Sequence, residues 1–163
     1  MKRELTLAAL AALALATTAC GGPKPVSEAQ AAMIADETQT ALASRNIAAV
    51  EARYSKAVIG FDPTDPKMST SFENWDRLQK AFVAMQFDKL SMADRRIQVL
   101  DGDTFVVSGI ATFANSLAPA SAMTMRMTQV YQRQDNGNFV IVTEHVSPQP
   151  ETQQTGTDQP ATK

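Results

Sequence analysis

The 163-residue chain has one cysteine, Cys20, and one histidine, His145. A single cysteine excludes an internal disulfide, so the fold has to stand on its packed core. A single histidine with no second cysteine excludes the Cys/His sets that hold structural zinc. An excess of positive charge is missing as well: 15 basic residues face 17 acidic ones, for a formal net charge of −2. Without a basic cluster the chain lacks the phosphate-neutralising surface of a nucleic-acid binder, and it lacks a polybasic membrane patch. There is no glycine-rich phosphate loop and no Gly-x-Ser-x-Gly elbow. No cofactor is expected, and few residues are left to carry covalent chemistry.

What is present begins at the first residues. Met1-Lys2-Arg3 is basic, Leu5 to Ala16 is almost unbroken Leu and Ala, and small residues lead to Cys20. A charged start, a short apolar run and a small-residue break describe a secretory signal peptide, and the run is shorter than the roughly 20 residues that a spanning helix needs. Thr17-Thr18-Ala19-Cys20-Gly21 resembles the lipobox of bacterial lipoproteins, although Thr17 stands where Leu is usual. The resemblance implies lipidation of Cys20, a membrane reached through that lipid, and a periplasm-facing place in the cell envelope. Gly rather than Asp after the cysteine favours the outer membrane by the same resemblance.

Residues 1–19 are therefore read as signal peptide and 20–27 as lipidated cysteine plus a Gly/Pro tether. Residues 28–147 are one domain by size. The tail, 148–163, holds no large apolar residue and is expected to stay disordered. Ser27 and Gln30 form a capping-box pattern ahead of a helix with Ile34, Thr38, Ala41 and Leu42 on one face. Asn46 is placed to cap a second short helix from Ile47 to Tyr54. Ala57 to Phe61 leans to strand and stops at Asp62-Pro63. Thr70 and Glu73 predict a second capping box ahead of a helix from Phe72 to about Gln86, with Phe72, Trp75, Leu78, Phe82 and Met85 on one face. Strands follow at Leu90–Leu100, Phe105–Phe113, Ala122–Gln132 and Phe139–Val146. Asp101-Gly102-Asp103 is expected to be a turn in which Gly supplies positive φ, and Asn136-Gly137 is a strong hairpin signal. Helices first and a meander after predict an α+β domain with its helices on one face of a curved antiparallel sheet.

Two stretches carry a family resemblance. Ala43 to Asp62, with its Ser44-Arg45-Asn46 break and its strand ending at an aspartate, resembles the opening of SnoaL-like domains. Arg126-Met127-Thr128, the Asn136-Gly137 turn, Phe139-Val140-Ile141 and His145-Val146-Ser147 resemble the closing hairpin. The order of these pieces matches over most of residues 28–147. The resemblance implies the cone of nuclear-transport-factor-2-like proteins, in which three helices close a strongly bent sheet around a pocket, and a homodimer made through the sheet face. Family members include ketosteroid isomerase, polyketide cyclases, dehydratases, the association domain of calmodulin-dependent kinase II and non-catalytic binding domains, so the fold does not fix the activity. Asn46 stands where relatives often carry Asp and Phe139 where many carry Trp, and the sequence shows no convincing Asp, Tyr and protonated-acid set of the isomerase kind.

His145 can serve as general acid or base near neutral pH, or simply orient its hairpin. Strict alternation puts Phe139, Ile141, Thr143, His145 and Ser147 on one face and Glu144 on the other. Arg126, between Met125 and Met127, can hold a carboxylate or pair with Glu144 across the hairpin. Asp62 is a second candidate base or a turn residue, and Tyr54 and Trp75 are candidates for the pocket wall or the core. Met123, Met125 and Met127 place thioethers at alternate strand positions, which suits either an apolar wall or Cu(I). The expected function is an envelope-anchored domain that binds a small apolar ligand, dimerises, or both. The alternatives are a small lyase or isomerase using His145 or Asp62 with Arg126, and Cu(I) binding by the Met123–Met127 run.

Overall fold

The computed structural model describes residues 24–149. The signal peptide, Cys20 and the tail beyond Gln149 lie outside the described residues. The elements run α1 (Glu28–Leu42), α2 (Ile47–Glu51), β1 (Tyr54–Phe61), α3 (Phe72–Ala84), β2 (Lys89–Val99), β3 (Thr104–Asn115), β4 (Ala118–Arg133) and β5 (Phe139–Pro148). The strands form one open sheet in the order β1-β5-β4-β3-β2. Neighbours are antiparallel except β1, which runs parallel to β5. Every ladder carries a register shift, and such irregularities bend and twist a sheet locally. The helices pack on one face: α1 lies against β2, and α3 against β1.

The helix starts follow local hydrogen bonding. Ser27 and Gln30 close the expected capping box on α1, and Asn46 Oδ1 accepts from the Ala48 and Ala49 amides to start α2. The second predicted box does not form. α3 is capped by Ser71, whose hydroxyl accepts from the Asn74 amide at 3.3 Å, so the helix starts one residue later than Thr70 would set it. Tyr54 belongs to β1 and not to the second helix, which ends at Glu51. The Ile141 amide donates to Arg53 O at 2.8 Å and ties that turn into the sheet.

Among the described residues Gly137 is the one glycine with positive φ, at 85°; Gly102, expected to supply one, does not, so its turn needs no left-handed residue. Gly137 donates to Gln134 O while the Gln134 amide donates to Asn138 O. The β4–β5 connection is thus a turn over Asp135-Asn136 followed by a left-handed glycine, the three-residue hairpin variant. The segment ahead of α1 is anchored as well. The Val26 amide donates to Gly102 O, Arg133 Nη2 donates to Lys24 O, and Val26 is buried.

The core divides along the sheet. Val50, Val58, Trp75, Phe105, Val107, Tyr131 and Ile141 form its dense part, where Phe105 and Tyr131 stack at 4.5 Å and 7°. Phe87, Ala111, Phe113 and Met127 form a second cluster around an opening.

Candidate functional site

That opening is a cavity of about 390 Å³ at the wide end of the cone. Its walls are Leu42 from the end of α1, Leu78, Phe82 and Met85 on α3 and just past it, Phe113 on β3, Met123, Met125 and Met127 on β4, and Val146 and Pro148 on β5. Asp62, Pro63 and Thr64 line it from the loop after β1. The three β4 methionines share one face, as their alternate spacing requires. Among the described residues no group of three or more His, Cys, Asp or Glu side chains is placed to hold a metal ion.

The polar part of the wall centres on Glu144, which is 4 % exposed. Its Oε2 accepts from Tyr54 Oη at 3.0 Å and from Gln129 Nε2 at 2.6 Å. Tyr131 Oη donates to Gln129 Oε1 at 2.8 Å. All four side chains are buried, and Gln129 sits directly opposite Glu144 in the β4–β5 register. Burial pushes the Glu144 carboxyl up to about 7. The donors Gln129 and Tyr54 pull it down, and the Asp62 charge adds to the upward push. Burial, followed by the Glu144 charge, drives the Tyr54 hydroxyl well above its ordinary range, so Tyr54 remains a donor at any physiological pH.

Glu144 reaches the interior through a bulge. Val130 pairs with Thr143 and Tyr131 with Ile141, so Val142 is an extra residue on β5. An extra residue reverses the alternation beyond it. Phe139 and Ile141 therefore point inward as strict alternation predicts, but Glu144, Val146 and Pro148 follow them in, and His145 goes out. The predicted face assignment is wrong from Thr143 onward for that reason. Gly60 permits the matching approach of β1 to β5: a Cβ on it would lie 2.3 Å from Glu144 O and 3.1 Å from the Trp75 ring.

The residues singled out from sequence thus separate into two groups. Asp62 and Tyr54 line the cavity with Glu144. Asp62 also holds the loop, accepting from the Thr64 amide at 2.8 Å. Trp75 is fully buried behind the wall, 5.7 Å from the Tyr54 ring. His145 is exposed on the outer face, 5.6 Å from the Phe61 ring. Arg126 is exposed opposite Ser147 and Ile110 on that same outer face; the partner of Glu144 across the hairpin is Gln129. Asp62, Tyr54 and Glu144 thus line one cavity. Gln129 and Tyr131 had no part in the sequence expectation, and Glu144 entered it only as a cross-strand partner for Arg126. The signal that could have found them is Gln129 itself, a polar residue continuing the inward phase of Met123, Met125 and Met127, where burial demands a partner.

Comparison with known proteins agrees with this geometry. No functionally curated protein matches the chain. Among solved structures, a candidate calcium/calmodulin-dependent protein kinase II association domain from Xanthomonas campestris is 25 % identical, with a TM-score of 0.66 over 80 % of this chain and 96 % of that one. A candidate ketosteroid isomerase from Parabacteroides distasonis is 19 % identical, with a TM-score of 0.63 over 79 % and 97 %. A candidate dehydratase of the nuclear-transport-factor-2-like family from Streptomyces avermitilis is 16 % identical, with a TM-score of 0.62 over 74 % and 94 %. The SnoaL-like domain family matches residues 32–151, and the chain belongs to it.

Proposed function

We propose that this SnoaL-like domain is a binding module, tethered in the cell envelope through lipid on Cys20, whose cone holds a small and mostly apolar molecule. The observation that carries the reading is the cavity itself. It is large enough for a compact organic ligand, walled mainly by Leu, Met, Phe and Val, with a few polar side chains, Tyr54, Asp62, Thr64, Gln79 and Glu144, at its edge. Methionine side chains suit a wall that adapts to its guest. The outer face of the sheet offers Ser108, Thr128, Thr112 and Thr124 in hydrogen-bonded cross-strand pairs, with half-buried Val106, Ile110 and Val130 among them. That face is the proposed surface of a homodimer, and the likeness to an association domain supports it. Native mass spectrometry of residues 21–163 tests both parts. A dimer with a retained organic mass is expected, and an empty monomer that takes up no apolar compound overturns the reading.

A second reading is favoured by one specific observation: Asp62 and Glu144 share the cavity, and Glu144 is held at about 7 by burial. Two carboxyls in unlike environments can divide the roles of base and acid, which would make the domain a small lyase or isomerase. This reading draws support from the candidate isomerase and dehydratase among its structural neighbours. Incubating the protein and its retained ligand in D2O separates the two. Carbon-bound deuterium that appears with the native chain and not with Glu144→Gln or Asp62→Asn establishes acid–base chemistry, and a ligand mass that never changes leaves a binding module.

A further inference from the structure

The polar point of the cavity is incomplete in a particular way. Glu144 Oε2 takes both protein donors, Tyr54 and Gln129, while Oε1 has no protein partner among the described residues. The side chain is more than nine-tenths buried and lines the cavity. A carboxyl oxygen left open toward a cavity, on a side chain otherwise packed and hydrogen-bonded, is free to accept from a ligand atom.

The charge around it decides which atom. The cavity lining contains two carboxyls, Glu144 and Asp62, and no Lys, Arg or His. Around Glu144 itself, β1 supplies Tyr54, β4 supplies Gln129 and Tyr131, and the loop after β1 supplies the Asp62 charge. None of these is a cation. An anionic guest such as a free fatty acid would meet like charge, and a cationic one would neutralise it. Phe82 and Phe113, packed edge to face at 5.1 Å, add ring surface that suits a cation.

We propose that the cavity selects apolar molecules ending in a hydrogen-bond donor, protonated amines above all, with the nitrogen on Glu144 Oε1 and the apolar body among the methionines. This rests on the binding reading given above and specifies its ligand class. An ammonium at Oε1 makes a charge-assisted hydrogen bond in a site of reduced polarity. It also favours the ionised carboxyl, so an amine that binds near pH 7, where burial leaves Glu144 partly protonated, releases a proton from it.

Four probes of one shape test this by calorimetry at pH 8: 1-adamantanemethylamine, 1-adamantanemethanol, 2-adamantanone and 1-adamantanecarboxylate. The amine should bind roughly tenfold tighter than the alcohol, and the carboxylate should bind weakest. In Glu144→Gln the amine should lose its advantage while the alcohol keeps its affinity. On the native chain the affinity for the amine should rise from pH 5 to pH 8. Titrations at pH 7 in two buffers of different ionisation enthalpy should show proton release. These native-chain readouts keep the test sharp if the variant folds poorly. An amine no tighter than the alcohol overturns the ligand class and leaves the binding cone standing. A ketone tighter than the amine also overturns it and makes the protonated Glu144 the donor. Failure of all four to bind overturns the binding reading itself.

Discussion

The inner face of the sheet has two ends built from the same strands, and they are built differently. Along β4, Tyr131 is packed, Gln129 is hydrogen-bonded, and Met127, Met125 and Met123 line the opening. Along β3, Phe105 and Val107 lie in the dense core, while Ala111 and Phe113 belong to the second cluster and Phe113 lines the cavity. At the narrow end flat aromatic rings fill the space: Phe105 stacks on Tyr131, and Phe139 lies 5.4 Å away. At the wide end flexible thioethers stand around a void. The difference is one of packing: the narrow end is filled by core side chains, and the wide end keeps a cavity. The hydrogen-bonded Tyr131–Gln129–Glu144–Tyr54 chain marks the border between them.

The largest effect should come from breaking the narrow end. Phe105→Ala removes a fully buried ring and is expected to lower stability by about 3–5 kcal/mol, measured by denaturant unfolding. A loss no larger than that of Met125→Ala would erase the contrast between the two ends. The border should come next. Glu144 binds its proton more tightly folded than unfolded, so its contribution is intact below the unfolded value of 4.5. Stability is then lost as the pH rises through the folded value of about 7. By linkage that loss is on the order of 3 kcal/mol, and the difference in stability between the native chain and Glu144→Gln should follow it from pH 4.5 to 7 before levelling. A flat difference would mean that the carboxyl is not desolvated.

Gly60→Ala drives a methyl group into Glu144 O and should cost about 1–3 kcal/mol, the range for overpacking. It should also shift Glu144, so the titration of that residue followed by carboxyl NMR should change as well. The smallest effects are expected outside. Arg126→Ala and His145→Ala change exposed residues on the outer face and should each alter stability by no more than about 0.5 kcal/mol. Neither should alter ligand affinity measured by calorimetry. A loss of affinity in either would move the site to the other face.

Much of this architecture was legible in the sequence because it rests on local rules. The Ser27–Gln30 box, the Asn46 cap and the Asn136-Gly137 hairpin turn are set by neighbouring hydrogen bonds and turn preferences, although the positive φ expected at Gly102 falls at Gly137 instead. The α3 face of Trp75, Leu78 and Phe82 and the shared face of the β4 methionines follow from simple periods. The errors arose where one residue upsets a period or two options compete. Val142 has nothing in its own chemistry to announce a bulge, and it reversed the faces of Glu144 and His145. Ser71 and Thr70 are adjacent residues that both cap helices well, and Ser71 is the one that accepts from the Asn74 amide. The parallel pairing of β1 with β5 joins segments about 90 residues apart, beyond the reach of any local rule. Part of the site was nevertheless within view: Asp62 and Tyr54 were candidates from the start, whereas the buried Gln129 and Glu144 that complete it were not.

Methionine methyl NMR of residues 21–163 tests the central claim most directly, because the side chains that bound the cavity carry their own labels. On titration with an adamantane alcohol or amine, the ε-methyl signals of Met85, Met123, Met125 and Met127 should shift together and saturate at one affinity. Those of Met33 and Met68, which are exposed and away from the cavity lining, should stay in place. Shifts confined to Met33 and Met68, or none at any concentration, would contradict a ligand-binding cone.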